Sequence, residues 1–170
     1  MGLATTLYVG TDISEAMNRT RFYGPGGEEV GRGFESANDL PGTEGLALEA
    51  INRANRIGAG QLMWGLEATN LFWWHLGCFL TTNPGLLSRG LRLYTFNPRV
   101  VSKFKESYPD LGKGDWVDAM VIADRLRFGR LPRSATWTSA TSLFNGSPGT
   151  ASTWWIKWFG KSRSLWATST

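Results

Sequence analysis

Residues 7–14 read LYVGTDIS, and this stretch decides the fold. An apolar, β-branched run leads directly into one carboxylate, Asp12, which small and polar residues follow. The pattern predicts a buried central β-strand that delivers an acid to the end of a sheet. Two later stretches also bring acids to the end or the start of a predicted element: residues 62–67, LMWGLE, and residues 113–119, KGDWVDA.

Length, cysteine content and hydropathy place the chain among ordinary globular proteins. Its 170 residues suffice for one domain with a sizeable core. A single cysteine, Cys78, allows no intrachain disulfide and favours a reducing compartment. The first ten residues lack the pattern of a secretory signal, and the apolar patch at residues 71–80 is too short to span a bilayer. We therefore expect a soluble, cytoplasmic protein with no membrane partner.

The formal net charge of +4 is weak evidence for a nucleic-acid partner because of where the charge lies. All 14 acidic residues precede Arg133, and so do 14 of the 18 basic ones. The first 132 residues are therefore neutral, and the whole excess comes from the tail. A basic isoelectric point alone does not indicate a binding surface here.

Hydrophobic periodicity and turn residues divide the rest of the chain into alternating strands and helices. The second and third strands are expected at residues 18–23 and 28–34, joined by a glycine-rich turn at residues 24–27. Beyond them the pattern predicts a helix opening at residues 43–45, a strand at 62–67, a helix at 71–80, a strand at 91–96, and helices at 98–104 and 115–128.

The order β-β-β-α-β-α-β-α predicts an α/β protein with a mixed five-stranded sheet flanked by helices, as in the ribonuclease-H-like fold. It places Asp12 and Glu67 at the ends of the first and fourth strands. Asp115 and Asp118, spaced i and i+3, share one face of the first turn of the last helix. In open α/β sheets the usual site is the crevice at the carboxyl ends of the strands. We expect the four acids to converge there.

Clustered carboxylates of this kind suit divalent metal ions that act on a phosphodiester. Each acid also has a plainer explanation. Asp115 and Asp118 are typical of a helix N-cap and of a first-turn acid that the helix dipole favours. Asp12 and Glu67 are equally typical of residues that cap a turn after a strand. The joint placement of all four at one rim favours the metal site, because a buried acid without a partner is costly.

Four segments in order resemble the DEDD transposases of bacterial insertion sequences, recombinases with a RuvC-like amino-terminal domain. The family pattern is G-x-D-x-S, then E-x-T-G, then N-P, then K-x-D-x-x-D-A. The matching segments are GTDIS at residues 10–14, LEATN at 66–70, FNP at 96–98 and KGDWVDA at 113–119. Two departures are Glu15, where the family often has lysine, and Asn70, which replaces the glycine.

The resemblance implies that Asp12, Glu67, Asp115 and Asp118 bind Mg²⁺ or Mn²⁺ and catalyse DNA strand cleavage and exchange. It also implies a guide RNA encoded by the element and a homo-oligomeric assembly. The family's second domain carries a nucleophilic serine, and we find no counterpart for that domain in the sequence. We therefore expect a truncated transposase with little or no transposition activity by itself.

A few residues outside the acidic set are candidates for other roles. Lys113, Lys103 and Lys105 are candidate contacts to nucleic-acid phosphates, or else solvated lysines. His75 is expected to pack between elements rather than to bind metal, and Cys78 to be a buried small hydrophobe. Trp73 and Trp74 are expected in the core rather than stacked on bases.

Residues 133–170 differ from the preceding domain, residues 1–132. Periodicity and acids disappear, and five of the nine tryptophans are crowded among serine and threonine. Basic residues among tryptophans are compatible with a stacking platform for nucleic acid or a membrane-surface patch. A shift of one nucleotide instead allows residues 136–158 to be read as a charged, amphipathic, helical sequence, in which the second codon bases fix the polarity and the first bases are free. We interpret the tail as out of frame and without packed structure.

Three rival functions remain open from the sequence. Residues 9–14 are also similar to the opening of actin-like sugar kinases, although a second phosphate loop is missing from the sequence. A standalone junction-resolving nuclease built on the same four acids is the second rival. The third is an inactive domain that survives only as a binding module.

Overall fold

A mixed five-stranded sheet forms the centre of the protein in the computed structural model, which describes residues 5–68, 71–108, 111–112, 114–129 and 131. The strands are β1 (Thr6–Ile13), β2 (Met17–Tyr23), β3 (Phe34–Ala37), β4 (Gln61–Glu67) and β5 (Arg92–Phe96). They lie in the order β3-β2-β1-β4-β5. β1 pairs antiparallel with β2 and parallel with β4, so it is the central strand that the sequence predicts. β3 pairs antiparallel with β2, and β5 parallel with β4.

Helices cover both faces of this sheet. The described residues form α1 (Leu40–Arg56), α2 (Phe72–Thr82), α3 (Pro84–Leu87), α4 (Pro98–Lys105) and α5 (Asp115–Phe128). Successive side chains of β1 point to opposite faces of the sheet. Leu7 and Val9 are fully buried in one hydrophobic cluster with residues of α1 and α2. A second cluster holds side chains of β5, α4 and α5. The architecture is the mixed sheet between helices that the order of elements predicts.

α5 lies directly on the sheet because two strand residues facing it have no side chain. A Cβ atom at Gly10 would lie 2.1 Å from the carbonyl oxygen of Ala119, and one at Gly65 would lie 2.6 Å from Cγ2 of Ile122. Real Cβ atoms do not approach other atoms so closely, so glycine is required at both positions. This close approach sets the height of the first turn of α5 above the strand ends.

The third strand differs from its prediction. Residues 28–33 lie outside the strands, apart from one isolated bridge between Tyr23 and Glu29, and β3 begins only at Phe34. Gly31 adopts φ 78°, which interrupts an extended strand. The buried guanidinium of Arg53 donates hydrogen bonds to the backbone carbonyls of Val30 and Arg32, which would otherwise pair with a neighbouring strand.

Two helices also differ from prediction, both at caps. α1 begins at Leu40, earlier than the predicted start at residues 43–45, because the Asp39 carboxylate accepts a 2.8 Å hydrogen bond from the backbone of Gly42. After α2 the chain forms α3 instead of a plain break, since Asn83 caps a short helix by accepting from Leu86 N–H. The remaining predicted elements are confirmed within about two residues, the usual uncertainty of element ends.

None of the helices in the described part of the chain has the length and apolar character needed to cross a membrane. The domain boundary at residues 132–133, and the interpretation of residues 133–170 as out of frame, lie outside the described residues. Both therefore stay predictions.

Candidate functional site

Asp12 and Glu67 end two neighbouring parallel strands on the same side of the sheet. The register of β1 and β4 pairs Gly10 with Gly65 and Thr11 with Leu66, so the two acids are the next residues on their strands. Adjacent strands lie about 4.8 Å apart. Both acids are two residues beyond a glycine that faces α5. They therefore project toward the same helix.

The first turn of α5 contributes the other two acids. α5 follows Gly114, which provides no side-chain cap, and its first turn carries Asp115 and Asp118. Because Ala119 contacts the sheet at Gly10, the preceding turn lies beside the end of β1. Negative side chains are favourable at this end of a helix, where the backbone N–H groups are unpaired. The structure thus brings to one rim the four acids that the sequence predicts to converge.

The electrostatics of Asp12 show how closely the four acids are associated. Burial raises the pKa of Asp12 from 3.8 to about 6, and the negative charges of Glu67, Asp118 and Asp115 add to the shift in that order. A hydrogen bond from the backbone of Ile13 partly opposes it. Like charges raise a carboxyl pKa only when they lie near it. Asp12 is therefore a half-buried carboxyl in the field of three others.

Two cations are paired with the helix acids. Arg19, which stands opposite Asp12 in the β1–β2 register, forms an ion pair with Asp115 and a second one with Glu35 at 3.1 Å. Nζ of Lys105 at the end of α4 lies 2.6 Å from Oδ1 of Asp118. Arg19 is not among the site residues predicted from the sequence. Its position follows from the hairpin register, which pairs residue 12 with residue 19, and no motif marks it.

The donor chemistry of the four acids suits a hard divalent cation such as Mg²⁺ or Mn²⁺, which prefers carboxylate oxygens. Within the described residues, however, no group of three or more His, Cys, Asp or Glu side chains is arranged to hold a metal ion. Two of the four acids, Asp115 and Asp118, are instead paired with Arg19 and Lys105. The four acids fit a metal ion in two respects: their oxygens are suitable donors, and a bound cation would offset the repulsion between their charges. Arg19 and Lys105 would have to move away first.

The other candidate residues have varied surroundings. Lys103 is exposed on α4, and Lys113 lies outside the described residues. Nε2 of His75 is 2.7 Å from Oδ1 of Asn38, and burial lowers the pKa of the imidazole below 6.5, as suits a packing residue. Cys78 is buried, and burial raises its thiol pKa from 9.0 to about 12, which fits the predicted inert role. Trp73 packs partly buried against the core, as predicted.

Known proteins show which family the chain belongs to. The model of a family described as Transposase, the DEDD transposases of IS110 type, matches residues 9–143. The chain belongs to this family. The resemblance found in the sequence motifs is thereby confirmed. The match also favours the transposase interpretation over the actin-like sugar kinases. No curated protein matches the chain significantly.

Solved structures show the fold of this DEDD transposase domain. The RuvC structure from Thermus thermophilus is 11% identical and superposes with a TM-score of 0.51, covering 77% of this chain and 99% of that one. A T. thermophilus RuvC in complex with a Holliday junction substrate is 11% identical with a TM-score of 0.49, covering 78% and 100%. The first of these confirms the predicted RuvC-like, ribonuclease-H-like sheet.

Proposed function

We propose that this DEDD transposase domain cleaves DNA phosphodiester bonds with divalent metal ions held by Asp12, Glu67, Asp115 and Asp118, and that the chain by itself carries out little or no transposition. One observation carries the proposal: at the end of the central strand, burial and the field of three other carboxylates raise the pKa of the Asp12 carboxyl to about 6. A structural protein gains nothing from such repulsion, whereas a cation bound among the acids would relieve it. Membership in the transposase family supports DNA as the substrate.

The four metal-ligand side chains come from two strands and one helix. Asp12 and Glu67 offer oxygens from the rigid ends of two parallel strands. Asp115 and Asp118 offer oxygens from a helix that the two strand glycines hold against the sheet. When bound, divalent ions would stabilise the charge that develops on the attacking and leaving oxygens of the phosphodiester. The fold itself supplies the fixed orientation of the four ligands.

Three further points of the proposal come from the family resemblance rather than from the site. The DNA target is selected with a guide RNA from the same element, the active form is a homo-oligomer, and the ion is Mg²⁺ or Mn²⁺. A cytoplasmic location belongs to the proposal too, because the buried Cys78 is the only cysteine of the chain.

Strand cleavage of labelled DNA tests the proposed function. The full chain is incubated with a four-way junction and with a linear duplex of the same sequence, in Mg²⁺, in Mn²⁺ and in EDTA. We expect cutting that depends on the metal ion. Asp12→Asn or Asp118→Asn should lower the cutting rate by more than the roughly 10- to 100-fold that is typical when a residue supporting a metal ligand is lost. Preference for the junction would favour the junction-resolving nuclease as the finer activity.

The matched control is Glu44→Gln, which removes one negative charge from an exposed residue of α1 on the other face of the sheet. It should leave cutting unchanged. Cutting that persists in EDTA, or that survives Asp12→Asn at the rate of the parent chain, would contradict the proposal.

A further inference from the structure

Arg19 and Lys105 are bonded to two of the acids that a metal ion would use. Arg19 lies on β2 and reaches Asp115 across the rim, and Lys105 reaches Asp118 from the end of α4. The two cations come from different elements on opposite sides of the helix acids. Neither Arg19 nor Lys105 belongs to the family motifs. The inference below rests on the proposed metal function of this site.

The contact of Lys105 with Asp118 differs from an ordinary surface ion pair because both side chains are partly buried. The side chains of Lys105 and Asp118 are 24% and 30% exposed. Arg19 is 26% exposed and bridges two more exposed carboxylates, Asp115 at 56% and Glu35 at 44%, so its guanidinium is held from two sides. Partial burial strengthens such interactions over the near-zero value typical of exposed pairs. The two cations are therefore resident parts of the site.

Charge and space make the cations and a metal ion competitors. The four acids carry a formal charge of −4, of which Arg19 and Lys105 offset half. An ammonium group 2.6 Å from Oδ1 of Asp118 occupies the position from which a metal ion would contact that oxygen. A divalent ion that uses these same oxygens would displace the two side chains from their acids. Lys105 is then released from Asp118 and Arg19 keeps only Glu35, and both cations lie beside the place where a phosphate would bind.

We propose that Arg19 and Lys105 are built-in counter-ions, which hold the helix acids while no divalent ion is bound and transfer to the phosphates of the nucleic acid when the ion arrives. The exchange couples metal binding to DNA binding, because each metal ion that enters releases cations for the substrate. Such coupling is reciprocal, so DNA also strengthens metal binding. Arg19 and Lys105 act in the metal-free state as positioning residues and in the loaded state as substrate contacts.

The first test measures metal affinity without catalysis. Mn²⁺ is titrated into the full chain by calorimetry, for the parent chain and for Lys105→Gln, Arg19→Gln and Lys105→Arg. Loss of Lys105 should tighten Mn²⁺ binding about three- to tenfold, because the metal ion no longer has to break a partly buried ion pair, and loss of Arg19, whose partners are more exposed, should tighten it less. Lys105→Arg keeps the cation and should restore the parent affinity. Arg56→Gln, an exposed charge removal on α1, is the matched control and should change nothing.

The second test measures DNA affinity with Ca²⁺, which has the same charge, by fluorescence anisotropy of a labelled duplex. Lys105→Gln and Arg19→Gln should each bind the duplex about three- to tenfold more weakly than the parent chain, because each variant loses one phosphate contact. Opposite changes in metal and DNA affinity distinguish the exchange from loss of structure, which would weaken both. Circular dichroism of each variant checks the fold.

The outcomes separate this inference from the proposed function. Tighter Mn²⁺ binding together with weaker DNA binding in either variant supports the exchange. Mn²⁺ binding by the parent chain that both variants leave unchanged or weaken would overturn the exchange and leave the metal site standing. Absence of Mn²⁺ binding by the parent chain would overturn the proposed function and this inference with it.

Discussion

Asp12 is the residue at which stability and the proposed function oppose each other. Its carboxyl must ionise to bind a metal, yet burial and three like charges raise its pKa to about 6. Ionised groups in such surroundings cost folding free energy, which a bound cation or a neutral substitute would recover. Residues of this kind are common at sites where function rather than stability determines the side chain.

The raised pKa of Asp12 gives a pH-dependent prediction for the metal-free chain. Because the folded-state pKa lies above the unfolded value of 3.8, the folded state is favoured below that value, and the advantage is lost as pH rises through about 6. Asp12→Asn should therefore stabilise the chain in EDTA, by about 2 kcal/mol more at pH 7.5 than at pH 4.5. Urea unfolding at the two pH values measures the difference.

The control for this experiment is Glu44→Gln, whose side chain is exposed on α1 and should show no such pH dependence. Equal effects of Asp12→Asn at both pH values would contradict the raised pKa. Addition of Mg²⁺ at pH 7.5 should stabilise the parent chain and not the Asp12→Asn variant, because a ligand of the folded state shifts unfolding by mass action.

At the scale of elements, the contact of α5 with the sheet positions the site. Gly10→Ala would place a Cβ atom 2.1 Å from the carbonyl oxygen of Ala119, so the helix must move away. We predict a destabilisation of about 2–3 kcal/mol, typical of overpacking, and weaker Mn²⁺ binding because the helix acids move with α5. Urea unfolding and Mn²⁺ titration of the same sample measure both.

Gly45→Ala is the matched control for the glycine prediction. Gly45 lies within α1 with no atom within 4 Å of a Cβ added there, so the same substitution should stabilise the chain by about 0.5–1 kcal/mol. Its Mn²⁺ affinity should stay that of the parent. If Gly10→Ala behaves like Gly45→Ala, the close approach of α5 does not position the acids.

The side chain of Asn38 forms hydrogen bonds with the segments that follow Asp12 and Glu67. The Asn38 amide donates to the carbonyl oxygens of Ser14 at 2.9 Å and Phe72 at 3.3 Å, and its Oδ1 faces His75. Ser14 follows Asp12, and Phe72 begins the helix after Glu67. Asn38→Ala should cost about 1–2 kcal/mol, because it removes these hydrogen bonds between separate segments. Asn55→Ala, an exposed change on α1, serves as control in thermal unfolding.

The elements that the sequence predicts well are those with strong local signals. Alternation places β1, and Asn97-Pro98 predicts α4, since the Asn97 side chain caps that helix. The shifted β3 depends on long-range contacts that no local pattern contains, such as the guanidinium of Arg53 on the residue 30–32 carbonyls. In the site, the acids were predictable from motif and strand ends, whereas Arg19 requires the hairpin register.

At the scale of the whole molecule, the two hydrophobic clusters of the described chain lie within residues 7–131. A chain ending at Pro132 keeps every buried contact that these clusters provide. We predict that residues 1–132 fold independently, with a thermal midpoint within a few degrees of the full chain, and retain Mn²⁺ binding. Aggregation, or loss of the cooperative unfolding transition seen by circular dichroism, would contradict the domain boundary.

The central claim is that four carboxylates from two strands and one helix share a divalent ion. Crystals grown with Mn²⁺ and measured at the manganese absorption edge test it most directly. The account predicts an anomalous peak contacted by Asp12 and by at least two of Glu67, Asp115 and Asp118. A peak at another place on the domain, or crystals that hold no manganese at this rim, would contradict it.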